Sequence, residues 1–273
     1  MVKGDIRAVK QNYSDIGRIL RFCSLINAVP RDSVKERLDM CTEKYDKTNI
    51  TGSLLLRGSY LILYEHVKSE HIAAALSAIG SHSEELQGHL DRKEGFLTIS
   101  DYWQAIETAK DIGWMKFTNP SLDAHIFLEA NWGMRAVVPS EILIIYPRHF
   151  LITETSQDSS QYKTDIFARM DIRLAVRCRA PTIKEVTWAV GGFEIEELSI
   201  DAHQRLPAAA AHLIALSHLC PGRIALDCGE DLGLAEALVS SYLVGKYGFE
   251  RLAAVAWVRM LLTHGSAREA WLV

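Results

Sequence analysis

Several features are scarce in this chain of 273 residues, and each scarcity excludes something. No apolar run reaches the roughly 18 residues that a membrane helix needs. The opening stretch MVKGDIRAVKQ lacks the continuous apolar core of a secretory signal. Cysteine is sparse and odd in number: Cys23, Cys41, Cys178, Cys220 and Cys228. None of them forms a Cys-x-x-Cys pair, so neither a disulfide framework nor a zinc site is expected. Charge of one sign is lacking too. Thirty basic residues against 34 acidic ones leave a net charge of −4. Such a balance carries no electrostatic footprint for nucleic acid or an anionic membrane. The P-loop pattern and His-Glu-x-x-His are absent, and GEDLGLAEA (229–237) lacks the spacing of a calcium loop. His66 and His71 stand five apart, His212 and His218 six apart, so neither pair shares one helical turn as metal ligands would. These absences predict a cytoplasmic protein with reduced thiols and no metal, membrane or nucleic-acid partner.

What is present suits a globular fold. The chain is 48% hydrophobic and 23% charged, and is long enough for two domains. In the first half, RILRFCSL (18–25) reads as a strand. Ser33 and Glu36 form a capping box before a helix carrying Val34, Leu38, Cys41 and Tyr45 at helical spacing. Then come two apolar runs around Arg57-Gly58-Ser59, a hairpin signal because glycine accepts the backbone angles of a tight turn. SEHIAAALSAIGSH follows as a helix, with Ile72, Leu76 and Ile79 on one face and Gly80 ending it. EGFLTIS and GWMKF (113–117) read as further strands, with a short helical piece between them. This β-α-β-β-α-β order is ferredoxin-like.

Residues 17–118, through ITG (50–52), the hairpin ending at Glu65 and the pair Trp114-Met115, resemble the BLUF family of flavin-binding blue-light sensors. In that family a first-strand tyrosine and a glutamine before the glutamate serve the flavin photocycle. Phe22 and Ile62 stand at those places here, and the asparagine positions of helix 1 fall near Lys44 and Tyr45. Neither phenylalanine nor isoleucine can switch a hydrogen bond. The resemblance therefore implies the fold without the standard photochemistry, and FAD is not the expected cofactor.

In the second half, residues 118–140 read as a linker or a short interdomain helix, EILIIYPRHFLITE as β-rich, and SQDSSQYKTD (156–165) as a loop. DIRLAVRCRA, TIKEVTWAV and FEIEELSI read as strands, PAAAAHLIALSHL as a helix from Pro207, and GRIALDCG as a buried strand. A long helix over DLGLAEALVSSYLVGKYGF comes next, and RLAAVAWVRMLL suits either strand or helix. Residues 190–252, from FEIEELSI to the corner KYGFERL, resemble the GNAT acyltransferase superfamily, which includes autoinducer synthases. There a glycine-rich loop at a helix N-terminus binds the pyrophosphate of acyl-CoA. The matching stretch here is Gln204-Arg205-Leu206-Pro207-Ala208-Ala209. The resemblance implies that Gln204, Arg205 and the amides of Ala208 and Ala209 hold acyl-CoA. The superfamily's general-acid tyrosine aligns with Val244 here; Tyr242, close by, is the expected general acid in its place, with Glu196 or Glu197 as general base.

The expectation is thus an α+β protein: a BLUF-like ferredoxin fold over 1–118, a linker over 119–140, and a GNAT-like domain over 141–273. The first domain regulates, or binds a ligand or partner; the second transfers an acyl group to an amine. The alternatives are a non-catalytic regulatory or scaffold protein, with a protein partner or a second copy of itself, and an unusual FAD photoreceptor.

Overall fold

A computed structural model describes residues 15–27, 47–78, 97–115, 134–138, 141–145, 168, 171–179, 194–199, 206–228 and 231–262. Seven helices and five strands are seen there. In chain order they are α1 (Ile16–Asn27), α2 (Lys47–Leu63), α3 (Ser69–Ala78), α4 (Ile99–Asp111), β1 (Met134–Val138), β2 (Ile142–Ile145), β3 (Ile172–Arg179), β4 (Glu194–Ser199), α5 (Leu206–Leu219), β5 (Arg223–Asp227), α6 (Leu232–Tyr247) and α7 (Arg251–Leu262).

The described part of the first half is helical where strands were expected. Residues 18–25 lie in α1, whose buried Ile16, Ile19, Leu20 and Cys23 recur at i, i+3, i+4 and i+7. The expected hairpin is one continuous helix, α2. Its buried Thr51, Leu55, Ser59 and Ile62 fall on one helical face, and leucine, its commonest residue, is a strong helix former. Short apolar runs read equally as buried strand or buried helix, and the helix has won here. Gly58, read as a turn residue, instead makes room for a neighbour. A Cβ there would stand 2.3 Å from the Trp103 indole. Trp103 Nε1 donates to the Leu55 carbonyl at 3.2 Å, so α4 sits tightly on α2. From Leu97 on, the strand expected at 95–101 is instead the entry to α4: the Asp101 carboxylate accepts from Thr98 N at 2.6 Å and from Thr98 Oγ1 at 2.8 Å. Residues 113–115 turn rather than extend, with Gly113 at φ 83°. The ferredoxin-like order is therefore not present in the described residues of this region. The helix α3 stands as expected, and the short helical piece expected before GWMKF lies within α4; Ile79, Gly80 and the Ser33–Glu36 helix lie outside the described residues.

The second half is mixed helix and strand. Its sheet has the order β1-β2-β5-β3-β4. β1 and β2 are antiparallel, and the remaining neighbours are parallel. β1 comes from within the stretch read as a linker. The strands expected over DIRLAVRCRA, FEIEELSI and GRIALDCG are β3, β4 and β5, and α5 and α6 stand where helices were read. α7 resolves the ambiguous RLAAVAWVRMLL as a helix. The readings at 156–165 and 182–190 fall outside the described residues.

One face of the sheet carries Ile142, Ile144, Ile224, Leu226, Leu174 and Val176, which the register brings side by side. They share a core with Leu213, Leu238, Val239 and Leu243 of α5 and α6. The same core continues into the first half. α4 packs on α7, and Trp114 stacks on Phe249 at 5.7 Å and meets Tyr247 edge-on at 4.8 Å. α7 is tied to α6 by Arg259, whose Nε and terminal nitrogen each lie 3.0 Å from the Glu236 carboxylate. Among the described residues no helix is long and apolar enough to cross a membrane.

The helical account of 47–63 makes a prediction. Gly58→Ala removes no hydrogen bond and favours a helix by up to about 1 kcal/mol. The clash with Trp103 outweighs that gain, so urea unfolding should show a net loss of about 1–3 kcal/mol. A variant as stable as the parent would mean that α2 and α4 do not meet at Gly58.

Candidate functional site

Tyr242, read from the sequence as a general acid, lies in a polar cluster with Glu141 and Lys246. Glu141 just precedes β2, and its backbone carbonyl accepts from Ile224 N at 2.6 Å, pinning the start of β5. Its side chain meets the last turns of α6. Tyr242 Oη donates to Glu141 Oε2 at 2.7 Å, and Lys246 Nζ donates to Glu141 Oε1 at 2.8 Å. Lys246 also donates to Tyr242 Oη at 3.0 Å and to Ser217 Oγ at 2.9 Å. Ser217 in turn gives its proton to the Ile214 carbonyl at 2.8 Å. Tyr247 hydrogen-bonds Glu141 as well. Tyr242 and Lys246 are one helical turn apart on α6, which places both on the face towards Glu141.

The electrostatics of this cluster favour a fixed network over proton transfer. Burial pushes the Glu141 carboxyl up, but hydrogen bonds from Lys246, Tyr247 and Tyr242 outweigh it and hold the group below its ordinary value. Glu141 therefore stays ionised, and Lys246 is its counter-charge. Tyr242 is fully buried, at 0% exposure. Burial pushes its phenol well above the ordinary tyrosine value, and the hydrogen bond to the Glu141 carboxylate adds to this. Tyr247 is shifted the same way, by burial first and Glu141 second. A general acid works best with a value near the operating pH, and Tyr242 is moved away from it.

The other sequence candidates are elsewhere. β4 ends at Ser199 and α5 begins at Leu206, so strand and helix follow in the order expected for an anion cradle. First-turn amides of a helix have no intrahelical partner. Pro207 removes one of them; Ala208 is exposed and Ala209 buried. Gln204 and Arg205 lie outside the described residues. Glu196 pairs with Val176 and Glu197 with Arg177 in the β3–β4 register. Tyr242 does not join this group. Lys246 links it to Ser217, eleven residues beyond Leu206 in α5. At 1.5 Å per residue that is roughly 16 Å of helix. The helix start lies at the carboxyl edge of the parallel strands and the Tyr242 cluster at the amino edge.

Of the residues aligned with the flavin switch, Ile62 is buried at 1% on α2, Phe22 is partly buried on α1 and Glu65 is exposed. Lys44 and Tyr45 lie outside the described residues. Among the described residues no group of three or more histidine, cysteine or acidic side chains is placed to hold a metal ion. Sequence reasoning missed Glu141, Ser217 and Lys246. The one available signal was the i, i+4 spacing of Tyr242 and Lys246 on an otherwise apolar helix face. Glu141 is a hundred residues away and only the fold brings it in.

The sign of the Glu141 shift gives a prediction. A carboxyl held lower in the folded state stabilises the fold above its unfolded value, near 4.5, and that stability is lost as pH falls through the folded value. Lys246→Met removes the main lowering contact. Urea melts across this acid range should show a flatter loss for the variant than for the parent. Identical slopes would mean that Lys246 does not hold Glu141. No family model matches this chain, and no curated protein matches it.

Proposed function

We propose that this chain is a non-catalytic regulatory or scaffold protein that works by binding a protein partner. The observation that carries this reading is the state of Tyr242. Its phenol is fully buried and committed to Glu141 and Lys246, on the far edge of the sheet from the start of α5. A leaving thiolate at that helix start would be out of Tyr242's reach. The packing of Trp114 against Tyr247, Phe249 and Trp257 also fits a regulatory role, because it joins α4 to α6 and α7. A ligand or partner on either half would be felt by the other through that contact.

A second reading, acyl transfer from acyl-CoA to an amine, is favoured by one observation: α5 follows β4 in the chain, the order an anion cradle requires. On that reading Glu196 or Glu197 is the base, and Gln204, Arg205 and the amides of Ala208 and Ala209 hold the pyrophosphate. The two readings separate in one experiment. Acetyl-CoA and a long-chain acyl-CoA are added to the full chain, and both the melting temperature and the release of free CoA in the presence of amines are followed. A ligand that binds only the folded state raises the melting temperature, by an amount that grows with its concentration over its dissociation constant. The partner-binding reading predicts no rise and no CoA release. A rise with release would replace it by the transferase.

The flavin alternative has its own readout. With Phe22 and Ile62 in place of the phenol and the amide, the purified protein should be colourless. A blue-absorbing flavin band that shifts on illumination would overturn this.

A further inference from the structure

The turn between α2 and α3 carries a contact that the functional reading does not use. His66 stands in this turn with φ at 58°, in the left-handed region that residues other than glycine seldom enter. Val67 N donates to the Leu61 carbonyl at 3.0 Å and closes the turn. The Lys110 amine of α4 reaches in beside it. It donates to the Ile62 carbonyl, in the last turn of α2, at 2.5 Å, and lies 2.6 Å from His66 Nδ1. A cation is favoured there, because the last carbonyls of a helix have no partner within it. Burial lowers the value of the Lys110 amine, ahead of the charges of Asp111, Lys68 and Glu107 around it. Lys68 is paired with Glu107 at 2.9 Å and Asp111 at 3.3 Å. The other charged groups of the turn and of α3 are Glu65, which is exposed, and Glu70, which lies 3.8 Å from His71.

We propose that His66 and Lys110 form a pH-sensitive latch, which holds the α2–α3 turn on α4 at neutral pH and opens as acid protonates the imidazole. An ammonium group only donates, so His66 Nδ1 is the acceptor and the ring proton is on Nε2. A second ring proton turns the acceptor into a donor and sets two cations 2.6 Å apart. Imidazole is the side chain whose charge changes between about pH 5 and 8. The contact is therefore present above that range and lost as pH falls through it. The nearby carboxylates do not make up the loss: Glu107 is engaged by Ser69 and Lys68, and Asp111 by Lys68. His71 behaves in the opposite sense, because its neighbour Glu70 attracts an imidazolium. Release of Lys110 acts on the end of α4. There the Lys110 carbonyl accepts from Gly113 N at 2.9 Å, one residue before the Trp114 that packs on Phe249.

The test is NMR of the full chain, with ring-nitrogen signals and amide exchange followed across the imidazole range, from about pH 7.5 to about pH 5. His66 should show the Nε2–H form at the upper end. Protection of the Val67 amide, corrected for the intrinsic exchange rate, should fall about three- to fivefold across the range, as suits a charge contact open to solvent. His66→Asn keeps a residue that tolerates the left-handed turn and does not titrate, so its Val67 protection should not vary with pH. Because that substitution could loosen the turn outright, Lys110→Met, with His66 in place, provides a second measure and should also abolish the pH dependence. His71→Gln should keep the fall seen in the parent. A ring proton on Nδ1, protection that does not change with pH in the parent, or an undiminished fall in His66→Asn or Lys110→Met would each overturn the proposal. So would loss of the fall in His71→Gln.

Discussion

The rest of the sheet half depends on the ionised carboxylate of Glu141. Its carbonyl holds the start of β5, its side chain holds Tyr242 and Lys246 of α6, and Lys246 reaches on to Ser217 of α5. A carboxylate removed from water is costly unless it is paired and hydrogen-bonded, and this one receives both kinds of partner. The arrangement is directional where the apolar contacts of α5, α6 and the sheet are not. It fixes how far each helix runs past the strand edge. Gly248 then ends α6 in the left-handed region at φ 70° and turns the chain into α7.

From α7 the constraint passes to the first half. Trp257 of α7, Phe249 and Tyr247 surround Trp114, which follows α4 directly. α4 in turn holds α2 through Trp103 and Gly58, and holds the α2–α3 junction through its last turn. There Lys110 Nζ donates to the Ile62 carbonyl at 2.5 Å, and Glu107 accepts from Ser69 N at 2.9 Å while pairing with Lys68 at 2.9 Å. Polar contacts therefore set the helix ends in both halves, and aromatic packing joins them. This division of labour underlies the functional reading. The tyrosine read as a general acid serves the frame instead.

The sequence was a good guide where a pattern had only one physical reading. IRLAVRCR, EIEELS and RIALD are bounded runs rich in strand formers, and each is a strand. Pro207 near the start of an alanine-rich run and Gly248 at the end of another mark α5 and α6. It misled where two readings compete. LLLRGSYLIL offers leucines that suit a helix and a glycine that suits a turn, and the decision was made by Trp103, 45 residues on from Gly58, which needs a residue without a side chain opposite it. The site was less legible than the fold. Tyr242 was singled out by its place near the Tyr-Gly-Phe corner, but its partner Glu141 is joined only by the pairing of β2 with β5. The His66–Lys110 pair was hidden for the same reason: 44 residues separate the two in the chain, and only the packing of α4 on α2 brings them together.

The central claim is that Glu141 and Lys246 act as one structural unit. A double-mutant cycle with Glu141→Gln, Lys246→Met and the pair, measured by urea unfolding at neutral pH, tests it most directly. Residues that share one network couple, and the account predicts a coupling energy of about 1 kcal/mol or more, with the double variant less damaged than the sum of the singles. Strictly additive effects would contradict it, and would return Tyr242 to the list of groups free to do chemistry.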